Sequence, residues 1–171
     1  MVFLYNDTRK QCTFGLLTRT APRTAPYLLL SSLSRWDEGE YHFFIHRKKK
    51  DILFTIEGDY KDSIAQYSLS TAYDVSTASD SIETLIVGAG GLGISADPFG
   101  FTFNSDGSKV YVADGVDDLI YEITLGSNFD LTGSATHTGT LATNITNGSG
   151  TPCGLTFNND GSKLFLSLIH I

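Results

Sequence analysis

Apolar residues recur at every second position in short runs through the later part of the chain, with turn-forming residues between the runs. In FGFTF, Phe99, Phe101 and Phe103 alternate with Gly100 and Thr102, the period of a strand and not of a helix. NSDGSK follows, and its Asp106-Gly107 step favours the positive φ angles of a tight hairpin. KVYVA is then a second strand, DGVDD a second turn, and LIYEIT a third strand that keeps Ile120 and the residues two apart on one face. A loop holding Phe129 and Asp130 leads to a fourth strand near THTGTLA. The pattern therefore predicts an all-β chain of short antiparallel strands, four to a unit.

The unit recurs. DPFGFTFNSDGSKVYVADG, Asp97 to Gly115, returns as TPCGLTFNNDGSKLFLS, Thr151 to Ser167, with Pro98 and Pro152, Phe103 and Phe157, and Asp106 and Asp160 each 54 residues apart. A partial earlier copy, DSIAQYSLSTAYDVSTAS from Asp62, parallels DLIYEITLGSNFDLTGSA from Asp118 at an offset of 56, where Tyr73 coincides with Phe129. Four antiparallel strands repeated at roughly 50 residues are the mark of a β-propeller blade.

With its P-x-G-[LF]-x-F-x-x-D-G-S-K-[VL]-[YF] phrase and LSTAYDVSTAS, the stretch from about residue 43 to 167 resembles the YVTN/WD40-like β-propeller repeats of bacterial and phage surface proteins. The resemblance implies antiparallel four-stranded blades, about two and a third of them. It divides the chain into a non-repeat segment at 1–46, a first degenerate blade with its connector at 47–96, a second at 97–150, and the start of a third at 151–171. Propellers of this kind serve as binding scaffolds, and some relatives are lactonases or hold metals.

ETLIVGAGGLGIS, Glu83 to Ser95, contains Gly88, Gly90 and Gly93 at the G-x-G-x-x-G spacing of a dinucleotide-binding turn. That turn needs a helix behind it whose N-terminus faces the pyrophosphate. Pro98 arrives too soon for one, no amphipathic run of ten or more residues follows, and Asp114, placed to tempt as a ribose-binding acid, belongs to the DGVDD turn. The segment aligns with Asn147-Gly148-Ser149-Gly150 of the next copy, so it is expected to be a connector, tolerant in length, whose glycines supply backbone freedom alone.

Composition splits the chain at the same place as the pattern. Residues 1–50 carry nine Lys/Arg and four Asp/Glu, and the remainder three and fifteen, so balances of +5 and −12 make up the net charge of −7. The acidic part argues against nucleic-acid binding, which needs cations to displace phosphate counterions. Cys12 and Cys153 imply no disulfide framework. Tyr27 to Leu33 is too short and polar to span a membrane. Where the first blade should turn with Asp-Gly-Ser-Lys, the chain offers His46-Arg47-Lys48-Lys49-Lys50: a solvated basic turn, a patch for an anionic partner, or the sign of a chimeric start. The last residues, Leu166 to Ile171, read LSLIHI in place of a turn, and CTG-TCT-CTT-ATA-CAC-ATC, which encodes them, resembles a transposon end used in preparing sequencing libraries. The expectation is a truncated gene, the alternative being a natural apolar last strand. Two and a third blades cannot close a ring of four to eight, so either further blades or several copies of the chain must complete it.

Candidate chemistry is sparse. Asp114, Asp117 and Asp118 gather three carboxylates in one turn, the donor type hard cations want, without the ligand spacing of a known calcium loop. Asp106 and Asp160 are expected to initiate turns through their own side chains. His42, His46, His137 and His170 form no i, i+4 pair on a helix, and no G-x-S-x-G elbow occurs. No catalytic residue and no cofactor are assigned. The expected role is a non-enzymatic scaffold presenting loops to a protein, a glycan or a surface, in a secreted, cell-surface or virion setting. The alternatives are a lactonase-type propeller hydrolase, and a homo-oligomeric lectin whose inter-blade pockets would use Tyr111, Tyr121 and Phe129.

Overall fold

The structure, a computed structural model, describes residues 2–6, 11–15, 27–28, 41–46, 49–57, 62–79, 83–88, 91–94, 98–143 and 151–169. Among them the chain is all-β and antiparallel, its only helical element being a single 3-10 turn at Val75–Thr77. β1 (Val2–Asn6) and β2 (Gln11–Gly15) form a hairpin. β3 (Tyr27–Leu28), β4 (Tyr41–His46), β5 (Lys49–Glu57), β6 (Ser63–Ser68) and β7 (Glu83–Ile86) make a five-stranded meander in chain order. β8 (Pro98–Phe103), β9 (Lys109–Asp114), β10 (Leu119–Ser127) and β11 (Asp130–Ala142) make a four-stranded one. β12 (Thr151–Phe157) and β13 (Leu164–Ile169) pair with each other. The division expected at residue 46 falls inside the β4–β5 hairpin, where His46 pairs with Lys49, while Arg47 and Lys48 lie outside the described residues. Also outside them are Gly90, the connector at 144–150, and His170 and Ile171.

The sequence offsets reappear as pairing registers. Phe103 pairs with Val110, Phe101 with Val112 and Gly100 with Ala113; Phe157 pairs with Leu164, Leu155 with Leu166 and Gly154 with Ser167, every partner displaced by 54 residues. Even the irregularity recurs, between Pro98 and Gly100 and between Pro152 and Gly154. At an offset of 56, Ile64–Leu85 and Ala65–Thr84 answer Ile120–Leu141 and Tyr121–Thr140. The non-glycine residues of positive φ among those described form two further pairs at that offset, Asp62 at 44° with Asp118 at 54°, and Tyr73 at 64° with Phe129 at 56°.

Each DGSK hairpin is closed by two side chains. Asp106 Oδ1 accepts the Ser108 N–H at 2.9 Å and Asp160 Oδ1 accepts the Ser162 N–H at 2.8 Å, as the turn chemistry predicts. Asn104 and Asn158 do the rest. Their Oδ1 atoms accept the N–H of Lys109 and Lys163 at 3.0 Å, and their Nδ2 groups donate to Ser108 and Ser162 Oγ at 3.0 Å.

The inner strands of the four-stranded sheet, β8, β9 and the first part of β10, are covered on both faces, whereas most of β11 is exposed. Toward the five-stranded sheet, Phe101, Phe103, Val110, Val112, Ile123 and Leu125 pack against Phe54, Ile56, Ile64, Leu85 and Val87, with the Phe54 and Phe103 rings 4.8 Å apart. On the opposite face Ala113 and Ile120 meet Leu155, flanked by Leu164 and Leu166, and the Tyr111 ring stands edge-on to Phe157 at 4.8 Å. Alternate residues of β9 thus serve two different cores, which is why KVYVA carries apolar groups at consecutive positions.

The Gly-rich segment forms a compact turn. The Gly88 carbonyl accepts the N–H groups of Gly91 at 3.0 Å and Gly93 at 2.8 Å, and the Ile94 N–H returns to the Val87 carbonyl. Backbone freedom alone does not explain these glycines: a Cβ on Gly88 would run into the Asp62 side chain, and one on Gly91 into the Ile86 carbonyl. Gly93, at φ 67° with open space around it, is there for conformation.

Gly107 and Gly161 share a left-handed backbone, φ 77° and 74°, yet only Gly107 carries a ring, that of Phe129, over its Cα. Gly161→Ala should therefore lose about 1–2 kcal/mol through backbone strain. Gly107→Ala should lose about 2–5 kcal/mol, because the added methyl also displaces the buried Phe129. Urea midpoints of the two variants measure the difference; equal losses would contradict it.

Candidate functional site

The polar groups that the fold concentrates lie in two places: the β9–β10 turn with its neighbour from the five-stranded sheet, and the outer part of the four-stranded sheet's second face. At the turn, Asp114 ends β9 fully buried, and its Oδ1 accepts the N–H groups of Val116 and Asp117, both at 2.8 Å. It thereby closes the turn that follows it. Asp117 points to the Tyr121 hydroxyl, which donates to its Oδ2 at 3.4 Å. Asp118 is exposed, and its part in the fold is played by its carbonyl, which accepts both the N–H and the hydroxyl of Thr143 at 3.1 and 2.7 Å.

The three carboxylates expected to gather are therefore adjacent in sequence and divided in task. Among the described residues no three His, Cys, Asp or Glu side chains are arranged to hold a metal ion. A different acid joins Asp114. Asp62, in the β5–β6 connection, has its carboxyl held above the ordinary value, first by burial and then by the negative charge of Asp114. Its carbonyl accepts the Val87 and Gly88 N–H groups at 2.8 and 3.2 Å, tying the Gly-rich turn to the same place. Asp62 was legible as the 56-residue counterpart of Asp118, but its proximity to Asp114 was not.

The second place is centred on Glu122. Lys109 Nζ lies 2.6 Å from Glu122 Oε1, the Tyr111 hydroxyl donates to Oε2 at 3.0 Å, and Thr138 Oγ1 donates to Oε1 at 3.0 Å. The hydrogen bond from Lys109, helped by Thr138 and Tyr111, holds the Glu122 carboxyl below its ordinary value against the opposing effect of burial. Burial, then the Glu122 hydrogen bond, pushes the Tyr111 phenol up to about 12, so it acts as a neutral donor. No motif search would find this network. Its signal in the sequence is the alternation Lys109-x-Tyr111 opposite Glu122, visible only once the register is known.

The rings nominated for a ligand pocket are engaged in packing. Tyr111 lies on Phe157, Phe129 is 3% exposed in the main core and 5.3 Å from Phe103, and Tyr121 is edge-on to His137 at 5.7 Å. His137 Nε2 in turn lies 2.9 Å from both the Gly139 carbonyl and Thr140 Oγ1. His42 and His46 belong to β4. Among the described residues no helix is long and apolar enough to cross a membrane.

Comparison with protein-family models, with curated proteins and with solved structures finds no match for this chain.

The two acids predict opposite pH effects. A carboxyl raised on folding binds more protons in the folded chain, so its contribution falls as pH rises from 3.8 through its folded value, and Asp62 opposes folding at neutral pH. Asp62→Asn, which also suits a positive φ, should stabilise the chain at pH 7 by about 0.5 kcal/mol, with the gain fading below pH 4. Glu122 is lowered on folding, so its contribution is present above 4.5 and lost as pH falls through its folded value. Glu122→Gln should cost about 0.5–1 kcal/mol at pH 7, a loss that shrinks toward pH 3. Urea midpoints between pH 3 and 7 test both, and a gain for Asp62→Asn that grows in acid would reverse the assignment.

Proposed function

We propose that the chain is a portion of a β-propeller of the YVTN/WD40-like kind, each meander sheet a blade, and that it works as a non-enzymatic scaffold presenting its connecting loops to a protein, a glycan or a surface. The observation that carries this reading is that the inner strands of the four-stranded sheet, β8 to β10, pack between two neighbours, one of which pairs in the same register. An isolated antiparallel sheet solvates one face, whereas a stack of twisted sheets joined end to end curves toward a ring. The scaffold role is supported by how the turns are built. Asp106, Asp114 and Asn104 satisfy their own backbone, which stiffens the turns and leaves neighbouring exposed residues such as Val116 and Asp117 for contact. A secreted, cell-surface or virion setting suits such a scaffold.

Thermal unfolding in the presence of glycan, lactone and divalent-cation panels is the test. A ligand at about 100 times its Kd stabilises the folded state by about 2.7 kcal/mol, a readily measured rise in Tm. The scaffold reading expects a glycan or protein partner to raise Tm, and no rise with lactones or cations. A lactone that both raises Tm and is hydrolysed would make the chain a hydrolase. Mass in solution, measured alongside, separates a single chain from a ring built of several copies.

A further inference from the structure

We propose that the outer edge of β11 pairs antiparallel with β11 of a second copy of this chain, about a two-fold axis at Thr136. Among the described residues β11 is the last strand of its sheet and is paired with β10 alone. The repeat itself leaves this edge open, because β7, its counterpart 56 residues earlier, likewise ends its sheet. The two edges differ in kind. β7 is four residues long and begins with Glu83, whereas β11 is 13 residues long and holds no Asp, Glu, Lys, Arg or Pro from Leu131 to Ala142. From Thr132 onward Ala135 and Gly139 are half-buried and the other residues are exposed. A long exposed edge without charge or proline is a template for another strand.

The sequence of β11 fits a copy of itself. Leu131 to Leu141 reads LTGSATHTGTL, nearly the same in both directions about Thr136. Two copies related by a two-fold axis at that residue set Thr132 opposite Thr140, Gly133 opposite Gly139 and Ser134 opposite Thr138, like opposite like. The faces agree as well. Ala135 and His137, which would meet across the axis, pair with Leu125 and Ile123 of β10 and so share one face. Thr136 pairs with Thr124, and Thr138 Oγ1 lies 3.0 Å from Thr124 Oγ1, so Thr136 and Thr138 share the other. Hydroxyl pairs directly opposite one another are favourable cross-strand neighbours. Each chain carries a net charge of −7, yet none of it stands between Leu131 and Ala142 to oppose the approach. Thr138 is the extra residue that β11 inserts at the Glu122–Ile123 step, and the shift between Asp130 and Ala135 lies on the other side of Thr136. The core of the pairing is therefore short, Ser134 to Thr138, and the association modest. Gln66 Oε1 already accepts the Leu131 N–H at 2.9 Å, which ties the start of β11 to the five-stranded sheet and leaves the stretch beyond it for the second copy.

This inference rests on the register and exposure of β11 and not on the propeller reading, whose ligand screen is independent of it. The full chain is followed by sedimentation over a wide range of concentration, with amide hydrogen exchange read by residue. A dimer with a Kd between about 10 μM and about 1 mM is expected, with slowed exchange at Ser134 to Thr138. Thr136→Lys and Thr136→Glu each set like charges opposite one another across the axis, and each variant alone should dimerise about two- to fivefold more weakly. Mixed in equal amounts, the two should form a heterodimer at least as tight as the parent dimer, a recovery that a misfolded variant would not show. A single-chain mass up to about 1 mM would overturn the proposal. So would a dimer whose protected amides lie outside β11, or a mixture that associates no better than either variant alone. Larger assemblies indifferent to both substitutions would also overturn it, and are what a ring closed by several copies would give.

Discussion

The packing of Phe103 between Phe54 and Phe129 is the contact on which the rest of the structure depends. Phe54 belongs to β5, Phe103 ends β8, and Phe129 sits in the β10–β11 turn, so three aromatic rings join two sheets and the hairpin end of one of them. Burying a ring of this size contributes about 1.5–3 kcal/mol, and the tilted contact of such pairs adds about 0.5–1.5 kcal/mol. The cluster has a backbone condition. Phe129 must adopt φ 56°, unusual for a bulky residue, and its ring must lie over a residue with no side chain, which Gly107 provides. The Phe129 N–H donates to the Gly107 carbonyl at 2.8 Å, so turn and loop fix each other.

The comparison with Tyr73 shows what that condition does. Tyr73 has the same backbone conformation 56 residues earlier, yet it is 38% exposed. No Asp-Gly-Ser-Lys sequence stands between β4 and β5, where His46 pairs with Lys49. The same backbone therefore yields a core residue in one sheet and a surface residue in the other.

The polar architecture follows the same logic of local closure. Asp106 and Asp160 are held below their ordinary values by hydrogen bonds from Ser108 and Ser162, partners two residues away. Asp114 is committed to its own turn. Such residues stiffen loops, and the groups that remain available for recognition are their exposed neighbours. The Lys109–Glu122–Tyr111–Thr138 network and the approach of Asp62 to Asp114 connect different strands or sheets through charge.

The alternation of FGFTF and KVYVA, the Asp-Gly turns and the 54- and 56-residue offsets determined by themselves where most strands of the repeated region run and how they pair. Alternation and turn geometry act over a few residues, and a repeated local pattern folds into a repeated local register. The sequence also anticipated the turn roles of Asp106 and Asp160, and the absence of a helix among the described residues after Gly93, for the same reason. What only the tertiary structure decided is which faces meet. That Gly88 is required by Asp62, that Glu122 binds both Lys109 and Tyr111, and that β9 serves two cores all depend on contacts between different strands. Periodicity says which residues share a face; the twist and stacking of the sheets say what that face will touch.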